Sequence, residues 1–191
     1  GKVWQAKFLM NTGASLCESA GEEAFRFRMD LGPIWMIADR HSIRFRPGIH
    51  GTIAPLLNLS DGAYLDFSRS IRFGTTAFER PRRNDGTISK SGALAYSNAN
   101  NIITNRDGTH LGHELLHTFQ YRRDAFLITP ITSLFPRLSN EFHDVWVDDT
   151  GWGVNWAAQR AWAVAMRKNS DFDIYMEREA YFLADNYNIR E

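Results

Sequence analysis

The chain opens its hydrophobic patterning at Ala20, where AGEEAFRFRMDL fits two templates. It can form a short helix, or a strand in which Phe25, Phe27 and Met29 alternate with polar neighbours, and both readings stay open. IWMIADRHSIRFRPG follows, rich in Ile, Trp and Phe and ending at Pro47-Gly48, which predicts extended chain closing in a turn. RSIRFGTTAFER has the same extended style. Between them, HGTIAPLLNLSDG has turn-forming ends and an internal Pro55, so a loop around a small apolar plug is expected. RPRRNDGTISKSG is polar and turn-forming, and is expected to be exposed.

Later segments change character. GALAYSNANNIITNRDG places Leu94, Tyr96, Ile102 and Ile103 in an extended pattern that closes in a turn from Asn105 to Gly108. A helix over 109–123 is expected next, capped by the Thr109 hydroxyl and offering Leu111, Leu115, Leu116 and Phe119 to a core. AFLITPITSLFPRLSN is apolar but interrupted by Pro130 and Pro136, which predicts a packed loop or short helical turns. WVDDTGWGVN reads as a turn-rich connection. WAAQRAWAVAMRKN predicts a helix, as does DFDIYMEREAYFLADNY with Asp173 as its cap. The expected fold class is α+β: one domain over 1–191, a small mixed or antiparallel sheet in the N-terminal half, and a mainly helical C-terminal part.

Composition narrows the partners more than the fold. The 191 residues are 43% hydrophobic and 23% charged, as in ordinary globular domains, and too few for two full-sized cores. Lys plus Arg and Asp plus Glu are 22 each, so the net field gives no reason to expect nucleic acid or an anionic membrane as partner. No apolar run approaches the roughly 20 residues that cross a bilayer. The single cysteine, Cys17, excludes an internal disulfide, and GKVWQAKFLMN lacks a signal-peptide core. Compartment stays open between cytoplasmic and exported without disulfides, and the sequence does not give an oligomeric state.

The candidate chemistry lies in THLGHELLHTFQ. His113 and His117 are four residues apart, one turn up the same helix face, so both imidazoles can reach one metal ion. Glu114 lies between them, giving an HExxH arrangement: two histidines for Zn2+ and a carboxylate to act as general base toward water. His110 is seven residues before His117, roughly 10 Å along the helix, and is assigned no ligand role.

A catalytic zinc usually takes a third protein ligand. The extended pattern HExxHxxGxxH fails, since Gln120 and Arg123 stand at its glycine and last histidine. A downstream carboxylate is expected instead, Glu177 or Glu179, with His143, Asp144, Asp148 and Asp149 of EFHDVWVDD as rivals. Tyr121, Tyr175 and Tyr181 are candidate oxyanion donors.

HELLHTFQ followed by EREAY resembles the gluzincin pattern, in which HExxH is followed by a glutamate helix reading ExxAD or ExxSD. Aligning Ala180 with the small residue implies Glu177 as the third ligand and puts Tyr181 where gluzincins carry an aspartate. GALAYSNANNIITN with LGHELLHTFQY is also similar to compact bacterial metallopeptidase domains, including those of contractile injection systems. The resemblance implies a zincin-like fold and a zinc endopeptidase acting on peptide or protein substrate, with the strand around 93–104 holding substrate. The alternative is a zinc-bound structural or binding module without peptidase turnover.

Overall fold

A helix that hydrophobic patterning does not announce begins the chain. In the computed structural model, which describes residues 1–22, 24–81, 83–84, 86–88, 95–98, 100–105, 107–108, 110–125, 148–168 and 174–186, α1 spans Lys2–Glu22. Its buried face carries Lys7, Asn11, Ala14, Ser15 and Glu18 at helical spacing, while Phe8, Leu9 and Leu16 are exposed. Against it lies β1 (Arg26–Asp30), which resolves the open reading of 20–31: helix to Glu22, then strand. β1, β2 (Ile34–Asp39) and β3 (Ile43–Pro47) form an antiparallel meander, Phe27 opposite Ala38 and Met36 opposite Phe45. The extended reading of 34–48 holds, divided by a turn in which the Asp39 carboxylate accepts from the amides of His41 and Ser42 at 2.9 Å each.

Two expectations fail in the next stretch. The loop read into HGTIAPLLNLSDG is a helix, α2 (Ile49–Ser60), which continues through Pro55. Proline removes its own amide from the hydrogen-bond ladder and crowds the carbonyl one turn back, but the surrounding Ile, Ala and Leu residues sustain the turns on either side. After the short β4 (Tyr64–Leu65), the first half of RSIRFGTTAFER is also helical, as α3 (Phe67–Phe73). Asp66 caps it by accepting the Arg69 amide at 2.9 Å, and Gly74 ends it at φ +61°, where a Cβ would meet the Trp4 ring at 2.9 Å. Only Thr76–Glu79 of that segment is strand, β5.

β6 (Tyr96–Asn98) and β7 (Asn101–Thr104) complete a second, mixed sheet in the order β4-β5-β7-β6, with β5 and β7 parallel and the outer pairs antiparallel. Adjacent residues of β7 serve opposite faces. Ile103 joins Ala63, Phe78 and Ile88, whereas Ile102 joins Phe73, Leu111 and Leu115. Ile88 and Arg80 are buried, so RPRRNDGTISKSG is not wholly exposed; its expected turn is present, with the Gly86 amide donating to Arg83 O at 2.9 Å. An antiparallel and a mixed sheet in the N-terminal half and helices after them make this an α+β fold.

The histidine helix, α4, runs Leu111–Ala125, two residues later at each end than expected. The turn from Asn105 to Gly108 is present, and His110 enters the helix from a left-handed conformation at φ +63°, exposed. Thr109, the expected cap, lies outside the described residues. α4 packs against α1, β6 and β7, and against α5 (Asp148–Ala165) and α6 (Tyr175–Asn186). α5 takes in most of WVDDTGWGVN, which was read as a connection. Beyond Ala125, the segment AFLITPITSLFPRLSN lies outside the described residues, as does the Asp173 cap.

Candidate metal centre

α4 and α6 meet so that two histidines and a glutamate face one point. His113 Nε2 and His117 Nε2 are 3.0 Å apart, and Glu177 Oε2 stands 3.2 Å from the first and 3.4 Å from the second. All three side chains are largely buried, at 8%, 9% and 17% exposure. Two imidazole nitrogens and a carboxylate oxygen are the donor set of a His2Glu zinc site. With bonds of about 2.0–2.1 Å, a tetrahedral ion separates its ligands by about 3.3 Å, and the three observed distances bracket that value. The residues therefore fit a zinc ion, and His113, His117 and Glu177 form a candidate metal-binding site.

The electrostatics follow from burial and proximity. Burial alone would raise the Glu177 carboxyl, but hydrogen bonds from both histidines and their charges outweigh it and bring it down to about 2. Burial likewise opposes charge on His117, yet the hydrogen bond and charge of Glu177 raise its pKa. Glu114, also on α4, is raised chiefly by burial, against the lowering effects of the two histidines and of a hydrogen bond from Ser97 on β6.

Among the described rivals, Glu179 is engaged elsewhere. Glu179 accepts from Arg123 Nη1 at 2.7 and 2.8 Å, from Gln120 at 2.9 Å and from the Tyr175 hydroxyl at 3.3 Å. His143 and Asp144 lie outside the described residues, as do the side chains of Asp148 and Asp149. Of the three tyrosines, Tyr121 is buried against Trp35, and Tyr175 is exposed beside Arg123. Tyr181 lies against the site, its ring 4.3 Å from that of His113.

No family model, no curated protein and no solved structure matches the chain. The site must be judged on its own geometry. That geometry corrects the description of the metal cluster as an HExxH motif: the glutamate converging with His113 and His117 is not adjacent to His113 but is Glu177, supplied by another helix. Two further residues at the site went unread. Ser97 carries no signal in a single sequence, and Gln120 registered only as a mismatch to the longer histidine pattern. Its four-residue stretch with His117 (HTFQ), one turn of helix, was the available clue.

Proposed function

We propose that the chain is a zinc-dependent endopeptidase of gluzincin type, with residues 1–191 forming one zincin-like domain. The observation that carries this reading is the convergence of His113, His117 and Glu177, with a second buried carboxylate, Glu114, on the same helix as the two histidines. Zinc held there would supply Lewis acidity toward a peptide carbonyl and lower the pKa of water from 15.7 to about 7. Glu114 is the general base: buried on α4 next to His113, it takes a proton from the attacking water and returns it to the nitrogen released when the C–N bond breaks. Ser97 keeps that carboxylate oriented from β6. Among the described residues β6 is the outer strand of its sheet, and its outward backbone groups are where an extended substrate would pair.

A second reading, a zinc-bound structural or binding module without turnover, draws on the low exposure of the three candidate ligands. One experiment separates the two. The zinc-loaded chain is screened against a broad peptide library beside Glu114→Gln, and titrated with a hydroxamate that binds only an accessible metal. Peptidase function predicts cleavage that falls by about 10²–10⁴-fold in Glu114→Gln with zinc retained, together with hydroxamate binding. Equal cleavage by both proteins refutes the role of Glu114. Absence of cleavage and of hydroxamate binding favours the module.

A further inference from the structure

Gln120 is not one of the three candidate ligands, yet its amide makes three hydrogen bonds around them. Its Nε2 donates to Met176 O at 2.8 Å and to Glu179 Oε2 at 2.9 Å, and its Oε1 lies 2.7 Å from His117 Nδ1. A carbonyl and a carboxylate only accept, so the amide nitrogen must face them; turning the amide over would set its oxygen against two acceptors. With the amide fixed that way, Oε1 can only accept, and the proton of the contact must sit on His117 Nδ1. The lone pair of the neutral ring is then on Nε2, the atom 3.4 Å from Glu177 Oε2 and 3.0 Å from His113 Nε2. His113 has no equivalent arrangement, since its buried Nδ1 has no hydrogen-bond partner among the described residues and its ring rests on Tyr181 instead.

The same side chain spans two helices. Met176 immediately precedes Glu177, so the bond to its carbonyl holds the first turn of α6 against α4 at the ligand itself. Gln120 is 4% exposed, and Arg123 fixes the Glu179 carboxylate that completes its donor contacts. On the metal-site reading above, we infer that Gln120 is a positioning residue: it selects the Nε2-binding tautomer of His117 and sets the height of Glu177 against the two histidines.

The test uses the full chain with zinc and two measurements. Competition with a chromophoric chelator gives zinc affinity for wild type, Gln120→Met and Gln120→Glu, and ring nitrogen NMR of the zinc-loaded wild type reports which His117 nitrogen carries hydrogen. Gln120→Met keeps bulk without hydrogen bonds and is expected to lose 10–100-fold in affinity. Gln120→Glu keeps an acceptor for Nδ1 but sets its other oxygen against Met176 O and Glu179 Oε2, and is therefore expected to bind zinc more weakly than wild type as well. The wild-type His117 is expected to show a protonated Nδ1. Zinc bound by wild type and Gln120→Met with equal affinity, or a protonated Nε2 on His117, overturns the role of Gln120 and leaves the metal site standing. A wild type that takes up no zinc overturns both. Should Gln120→Met fail to fold, the wild-type NMR result decides.

Discussion

At the scale of single residues, what distinguishes the carboxylates near α4 is the company each keeps. Glu177 faces two imidazoles, Glu179 faces Arg123 and Gln120, and Glu114 faces Ser97 with the histidines alongside. The sequence left Glu177 and Glu179 as alternatives, because two residues of helix rotate a side chain by roughly 200° and no pattern says which face meets α4. The consequence for Glu177 is a pH dependence in the zinc-free protein. Its carboxyl is at about 2 when folded against an ordinary 4.5, so the stabilisation from ionised Glu177 is present above pH 4.5 and is lost as pH falls toward 2. Urea unfolding of zinc-free wild type and Glu177→Gln at several pH values should show a stability difference that shrinks on acidification through that window. A difference constant from pH 6 to 2 would show that the histidines do not stabilise the carboxylate.

At the scale of elements, legibility followed the chemistry of the buried face. α5 and α6 were read from periodic apolar residues and helix formers, and α4 from a capped apolar run. α1 was missed because its inward residues are polar: Glu18 holds Arg122 of α4 at 2.6 and 3.1 Å, Asn11 accepts from the same guanidinium at 3.0 Å, and Trp35 lies under it at 5.3 Å. A hydrophobicity pattern points the wrong way for such a helix, since Phe8, Leu9 and Leu16 face outward. The cost of building a helix interface from charge is sensitivity to losing one partner. Both side chains are about 1–2% exposed, so Glu18→Ala should destabilise the fold by about 3–5 kcal/mol, read as a lowered urea midpoint. Cys17→Ser, at an exposed neighbouring position, should stay within about 0.5 kcal/mol of wild type. Comparable losses in the two variants would remove α1 from the support of α4. α2 and α3 differ from expectation for another reason: the turn-forming residues and Pro55 of HGTIAPLLNLSDG point to a loop but are tolerated in a helix, and the extended style of RSIRFGTTAFER holds only after Gly74 has ended α3.

At the scale of the whole molecule, the α+β division and the position of the histidine helix were legible, while the partition of strands into two sheets was not. That partition depends on β5 and β7 pairing in parallel across more than 20 residues of chain, a long-range contact with no local signature. The site has the same character: His117 and Glu177 are joined only when α6 folds back over α4. The chain carries 22 charges of each sign, and no helix among the described residues is long and apolar enough to span a membrane. The decisive measurement is metal content, taken by elemental analysis on chain purified without chelators and then exchanged with limiting zinc. Wild type and Glu179→Ala should each hold one zinc per chain, and Glu177→Ala and His113→Ala should hold far less. Wild type without zinc, or Glu177→Ala with a full complement, would contradict the assignment of His113, His117 and Glu177 as the metal centre.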